Sequence, residues 1–146
     1  MSPLKKMKKL KKRVLKARNR NININTKELN EILINIKKYS PHPSRVQIVA
    51  VTKKRPYQSI ESAQKNNLFN IGESQVQEAE KKIKNTTNLS KSKFHLIGHL
   101  QSNKTHRANK LFNIIQSIDS VRLLKKLSLV AQKNKNTQEI FLQINV

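Results

Sequence analysis

Lys53 stands at the end of the most strand-like stretch of the chain, residues 46–52 (VQIVAVT), and Lys54, Arg55 and Pro56 follow it directly. An amine aimed off the end of a buried strand admits two readings. In a basic protein it is one more surface charge; alternatively it is a nucleophile held at the mouth of a folded core. Strand alternation puts Lys53 on the face of Val49 and Val51, so the amine points inward if they do. The flanking cations Lys54 and Arg55 disfavour its protonation, one route to a reactive lysine. Residue types alone leave both readings open.

Other polar groups end strand-like runs in the same way: Gly72-Glu73-Ser74, the segment His99 to Lys104, and Ser117-Ile118-Asp119-Ser120. In parallel α/β folds such positions gather on one rim, where sites form. His95 and His99 have the spacing of a helical metal pair. On a strand they sit roughly 13 Å apart, at ~3.3 Å per residue, and cannot chelate one ion. No metal site is expected. Glu78 and Glu80, two apart on a helix, face different ways and read as solvated helix residues. Asp119, the only aspartate, reads as a helix cap before it reads as a catalyst.

The elements that must position these groups alternate. Strand-like runs at 46–52, 68–72, 94–100, 114–118 and 139–146 are interleaved with helix-like runs at 57–66, 74–84, 103–112 and 120–134. Such alternation predicts an α/β fold with a parallel sheet and helical crossovers. Either an open doubly wound sheet or part of a (β/α)8 TIM-type barrel satisfies it. With Gly72 and Gly98 as the only glycines, no G-x-G-x-x-G turn or phosphate loop can be assembled, which lowers the odds of a nucleotide-binding open sheet. Ahead of the strands, a helix over 27–39 is predicted with Thr26 as its cap and Leu29, Ile32, Leu33 and Ile36 as its apolar stripe. Residues 1–25 are expected to be a basic, disordered extension, and 26–146 a single domain.

The formal charge is +23, and residues 1–20 hold ten lysines or arginines and no acid. There Leu4, Met7, Leu10 and Val14 are spaced for a weak basic amphipathic helix. Such a segment attracts nucleic acid and anionic lipid without specificity. Aromatic content of 4% offers little on which single-stranded bases could stack. The abundant Lys, Asn and Ile also fit plain AT-rich coding. Cysteine is absent, which excludes disulfides and thiolate metal sites; a reducing cytoplasm is the natural compartment. No apolar run approaches the roughly 18 residues of a membrane span.

Taken in order, VAVTKKRP, FNIGESQVQEAEKKI, FHLIGHLQSNK and IQSIDS resemble the YggS/PROSC family of pyridoxal 5′-phosphate homeostasis proteins, relatives of the alanine racemase N-terminal barrel. The resemblance runs from about Glu28 to Val146. It implies a partial (β/α)8 barrel of about five parallel strands with pyridoxal 5′-phosphate as cofactor. It also implies that Lys53 forms the Schiff base and that Ser74, His99 and Ser117 line the pocket. Family members hold and buffer the cofactor without clear turnover, so it implies a carrier in vitamin B6 homeostasis rather than an enzyme.

Two departures stand out. The family's usual GEN reads Gly72-Glu73-Ser74, so a serine replaces an amide and one hydrogen bond to the cofactor is weakened or rerouted. A complete barrel takes about 250 residues, with phosphate-binding loops after strands 7 and 8. This chain reaches a fifth strand, so a truncated product that self-associates or needs a complementing chain is expected. Two other readings stay open: a non-functional relic of the family, and a nucleic-acid or membrane-surface binder acting through residues 1–20. The latter predicts salt-dependent binding that survives Lys53→Ala but not removal of residues 1–20. A racemase would further need an acid/base partner from beyond Val146.

Overall fold

The computed structural model describes residues 22–144, so the helix expected over 1–20, the disorder expected of 1–25 as far as residue 21, and a last strand reaching 145 and 146 lie outside the described residues. The disorder does not extend to 25, because Ile24 N–H donates to Ser62 Oγ at 3.1 Å and its side chain packs against the core. Helix α1 (Thr26–Tyr39) leads by way of a single 3-10 turn (Pro43–Arg45) into strand β1 (Val49–Val51). Then α2 (Gln58–Lys65), β2 (Asn70–Glu73), α3 (Val76–Asn85), β3 (Lys93–Leu96), α4 (Thr105–Leu111), β4 (Ile114–Ile118), α5 (Val121–Lys133) and β5 (Glu139–Leu142) alternate. The strands form one parallel sheet in the order β1-β2-β3-β4-β5.

That order settles the architecture. Right-handed crossovers that step always in the same direction place every connecting helix on one face of the sheet. A doubly wound sheet must instead reverse direction at a switch point, and none occurs among the described strands. The sheet is therefore an arc of a (β/α)8-type barrel with helices on its convex side.

Register sorts the side chains by face. Ala50, Ile71, Phe94, Leu96, Ile115 and Ile140 form the row that meets the helices, where Ile60, Ala79, Ala108 and Leu127 complete a buried core. Val49, Val51, Gly72, His95 and Ile114 alternate onto the concave face. That face has no covering layer among the described residues, and Val51 is 52% exposed.

A polar row nonetheless crosses the concave face. His95 is buried, with Nε2 3.3 Å from Asn70 Oδ1 and Nδ1 3.1 Å from Gln116 Nε2. The Gln116 amide donates to Nδ1, which places the ring proton on Nε2 for Asn70 to accept. Burial pushes His95 below the ordinary histidine value of 6.5, with Glu139 opposing and Lys93 assisting. A depressed folded value means that the unfolded chain takes up the proton first as pH falls. The stability that neutral His95 contributes is therefore present above pH 6.5 and lost as pH falls through the folded value. Thermal melts are expected to show this loss, and His95→Gln to flatten it.

Three sequence expectations are corrected here. Asn25, not Thr26, caps α1: its extended backbone lets the side chain accept from Glu28 N–H at 3.3 Å, while Thr26 is already helical. In the α1 stripe only Leu29 is buried, and Ile32 and Leu33 are about half exposed because no described element packs over them. Strands β1, β3 and β5 are also shorter than expected; β3 ends at Leu96, before the chain bends past Gly98, and β5 ends at Leu142, with Gln143 and Ile144 outside it.

Candidate functional site

The C-terminal ends of β1, β2 and β3 lie side by side. Thr52 N–H donates to the Gly72 carbonyl at 3.0 Å, carrying the β1 ladder one residue past the strand. Its side chain turns into the helix layer and is buried. Lys53 follows in an exposed turn, closed by Arg55 N–H on the Thr52 carbonyl at 3.1 Å. Lys54, the next residue, takes φ 58, a left-handed conformation that costs a non-glycine residue roughly 1 kcal/mol. Lys53 thus occupies the first central position of this turn, past the extended backbone of β1.

Behind this turn lies a buried charge cluster. Lys82 of α3, 6% exposed, donates through Nζ to the Thr52 carbonyl at 2.6 Å and to Glu73 Oε1 at 2.8 Å, and pairs with Glu78 Oε1 at 2.7 Å. Thr52 Oγ1 donates to the same Glu73 oxygen at 2.5 Å, and Glu78 Oε1 accepts Lys54 N–H at 2.6 Å. Glu73 is fully buried, and its Oε2 has no hydrogen-bond partner. Desolvation pushes its carboxyl above the ordinary value, although hydrogen bonds from Lys82 and Thr52 pull the other way. Glu78 is thus more than a solvated helix residue. Glu80 does sit at the surface, paired with Arg107 and Lys84, and the Arg107 hydrogen bond holds it below its ordinary value.

Ser74 and His99 border one open cleft of about 520 Å³, together with Gln77, Gly98, Gln101 and Lys104. The floor is tight. A Cβ on Gly98 would lie 2.4 Å from the Ser74 carbonyl oxygen, so only glycine lets the β3 exit pass the β2 exit this closely. Ser117 is buried and donates through Oγ to the Gly98 carbonyl at 2.6 Å, which pins the same crossing from the β4 side. His99 Nδ1 lies 3.0 Å from Asp119 Oδ2. Asp119 is therefore not the cap of α5; Ser120 is, accepting Leu123 N–H at 3.3 Å. The structure thus brings Ser74, His99 and Ser117 together around Gly98, and places Lys53 on the neighbouring β1 turn. His95 and His99 go to separate partners, and no group of three metal-ligating side chains occurs among the described residues.

Sequence reasoning missed Lys82 and the role of Glu73. The Glu78–Lys82 spacing of four on a helix was a readable signal; that both would meet Glu73 and the Lys53 turn depends on how α3 seats against β2.

No family model matches the chain. Among curated proteins, it is 35% identical over 104 residues to the pyridoxal phosphate homeostasis protein of Synechocystis sp., covering 71% of this chain and 48% of that protein. It is 33% identical over 131 residues to the protein of the same name from Buchnera aphidicola subsp. Baizongia pistaciae, covering 87% and 56%. Among solved structures, PipY of Synechococcus elongatus with pyridoxal phosphate bound superposes with TM-score 0.71 at 35% identity, over 80% of this chain and 54% of PipY. The chain spans about half the length of these relatives. Shared sequence, a shared barrel arc and the strand-end motifs lead to one assignment: the chain belongs to the pyridoxal phosphate homeostasis protein family.

Proposed function

We propose that this chain binds pyridoxal 5′-phosphate covalently through Lys53 and acts as a carrier in vitamin B6 homeostasis. The observation that carries the reading is the seat of Lys53: an accessible amine on the C-terminal rim of a parallel sheet, between two peptide groups that neighbouring elements hold fixed. When bound, the cofactor supplies an aldehyde that condenses with the lysine amine to a Schiff base, releasing one water. PipY, whose structure holds pyridoxal phosphate, supports the reading.

The described residues fit one end of that cofactor. Val49, Val51, Gly72 and Ile97 meet on the concave face below the turn and offer an apolar floor for a flat ring. Ser74 and His99 line the cleft at the β2 and β3 exits, which Lys53 does not border, and would offer polar groups to the ring's edge. Ser117 serves indirectly, by holding the Gly98 carbonyl. A cradle of successive backbone N–H groups for the phosphate is not formed by the described residues. Affinity should accordingly rest on the covalent bond and the ring contacts.

A titration of the purified chain with pyridoxal 5′-phosphate, followed by near-visible absorbance, tests the reading. Expected is a saturable band that Lys53→Ala abolishes, with borohydride fixing the adduct on the peptide that contains Lys53. Diffuse labelling of many lysines, unchanged in Lys53→Ala, would overturn it.

A further inference from the structure

We propose that Glu73, Glu78 and Lys82 form a clamp that positions Lys53. The inference rests on the reading of Lys53 as the cofactor lysine and adds residues that touch no cofactor. Two peptide groups flank the Lys53 Cα, and each is tied from outside the turn. The one before it is held through the Thr52 carbonyl, which accepts from Lys82 Nζ at 2.6 Å. The one after it is held through Lys54 N–H, which donates to Glu78 Oε1 at 2.6 Å. Fixing both planes fixes φ and ψ of Lys53 and hence the direction in which its Cα–Cβ bond leaves the backbone.

Lys82 couples the two ties. Its ammonium also pairs with Glu78 Oε1, the oxygen that holds Lys54, and with Glu73 Oε1, which Thr52 Oγ1 engages as well. One buried cation therefore joins the ends of β1 and β2 to the second turn of α3. Stability alone is a poor reason for such an arrangement, because apolar side chains of similar volume often do as well as a buried ion pair. The cluster moreover leaves Glu73 Oε2 unpartnered and Lys54 left-handed. Both are features of a site held in a set geometry at the expense of local comfort.

The test uses the full chain and pyridoxal 5′-phosphate. Borohydride-trapped adduct on the Lys53 peptide is measured against adduct summed over the other lysines, with a melting curve for each variant. Glu78→Ala is expected to slow trapping at Lys53 by up to about a hundredfold, the scale of a reacting group misplaced by about 1 Å, and to leave the other lysines unchanged. Glu78→Gln, which keeps an acceptor for Lys54 N–H, should recover most of the rate. Glu80→Ala, on the same helix but away from the turn, should trap like the parent chain. Should Glu78→Ala not fold, Glu78→Asp keeps the charge, withdraws the oxygen by one methylene, and should show the same selective loss. A folded Glu78→Ala or Glu78→Asp chain that traps Lys53 at the parent rate overturns the clamp and leaves the cofactor reading intact. A parent chain with no preference for Lys53 overturns both.

Discussion

Replacing Lys82 with alanine is expected to destabilise the chain by about 3–5 kcal/mol, the cost of leaving one partner of a buried ion pair alone. The carboxylate of Glu73 is fully buried, and Lys82 is one of its two hydrogen-bond donors. The same truncation strips the Thr52 carbonyl of a donor and Glu78 of its ion pair. Whole domains are stable by only about 5–15 kcal/mol, so the variant loses a large share of its folding stability. Urea titration followed by circular dichroism measures the loss. The charge argument has its own check. A Glu73→Gln, Lys82→Met double variant removes both charges and keeps the volume, so it should recover most of the stability. If the double variant is as unstable as Lys82→Ala, the stranded charge is not the cause.

The pH dependence of that variant follows from the direction of the Glu73 shift. Burial raises the folded value above 4.5, so just above pH 4.5 the folded chain holds this proton more tightly than the unfolded chain. The associated stability is present below pH 4.5 and lost as pH rises through the folded value. Glu80 runs the opposite way: its folded value is lowered, so its contribution is present above 4.5 and lost as pH falls through the folded value. Removing Lys82 takes away two influences that lower Glu73, its hydrogen bond and its charge. The deficit of Lys82→Ala relative to the parent chain should therefore be smallest near pH 4.5 and grow toward neutrality.

Much of this architecture was legible in the sequence because periodicity and punctuation are local. The β4 run IIQSI spans the observed strand, Ile114–Ile118, residue for residue, and the alternation of strands and helices follows the chain. The strand end just before Lys53 was legible as well, since an apolar run that breaks into cations marks one. What could not be read depends on contacts between elements. The α1 stripe has helical spacing, yet spacing cannot say whether a partner surface lies over it, and Ile32 and Leu33 remain about half exposed. Asn25 and Thr26 are both good caps, and only the backbone angles decide between them. Glu73 reads as a strand-end rim group, Glu78 as a solvated helix residue and Lys82 as one charge among many. Their meeting depends on the α3 seat and on Thr52 extending the β1 ladder by one residue. That the Ser117 hydroxyl donates to the Gly98 carbonyl depends likewise on how the β4 end meets the β3 exit.

The two glycines divide the site sharply and supply the other large effect. Gly98→Ala is expected to cost about 1–3 kcal/mol or more, the usual toll of overpacking, and to displace the Ser74 rim. The new Cβ would meet backbone: Ser74 O at 2.4 Å and Ser74 Cα at 2.9 Å, with Ser74 Cβ at 2.8 Å. Neither side can retreat freely. Ile97 N–H is bonded to the Glu73 carbonyl at 2.9 Å, and the Gly98 carbonyl is held by Ser117 at 2.6 Å. Gly72→Ala meets only side-chain ends, Val49 Cγ1 at 3.0 Å, Ile97 Cδ1 at 3.3 Å and Val51 Cγ2 at 3.5 Å, on a face with room to yield. A glycine inside a strand also carries an entropic cost that alanine relieves. Its melting midpoint should stay within a few degrees of the parent, roughly the shift that 0.5 kcal/mol produces in a domain of this size. A Gly98→Ala chain that melts with the parent would mean that the β2 and β3 exits do not cross closely. A Gly72→Ala chain that proves the weaker of the two would mean that Val49, Val51 and Ile97 cannot yield, and therefore that in solution another surface covers the concave face.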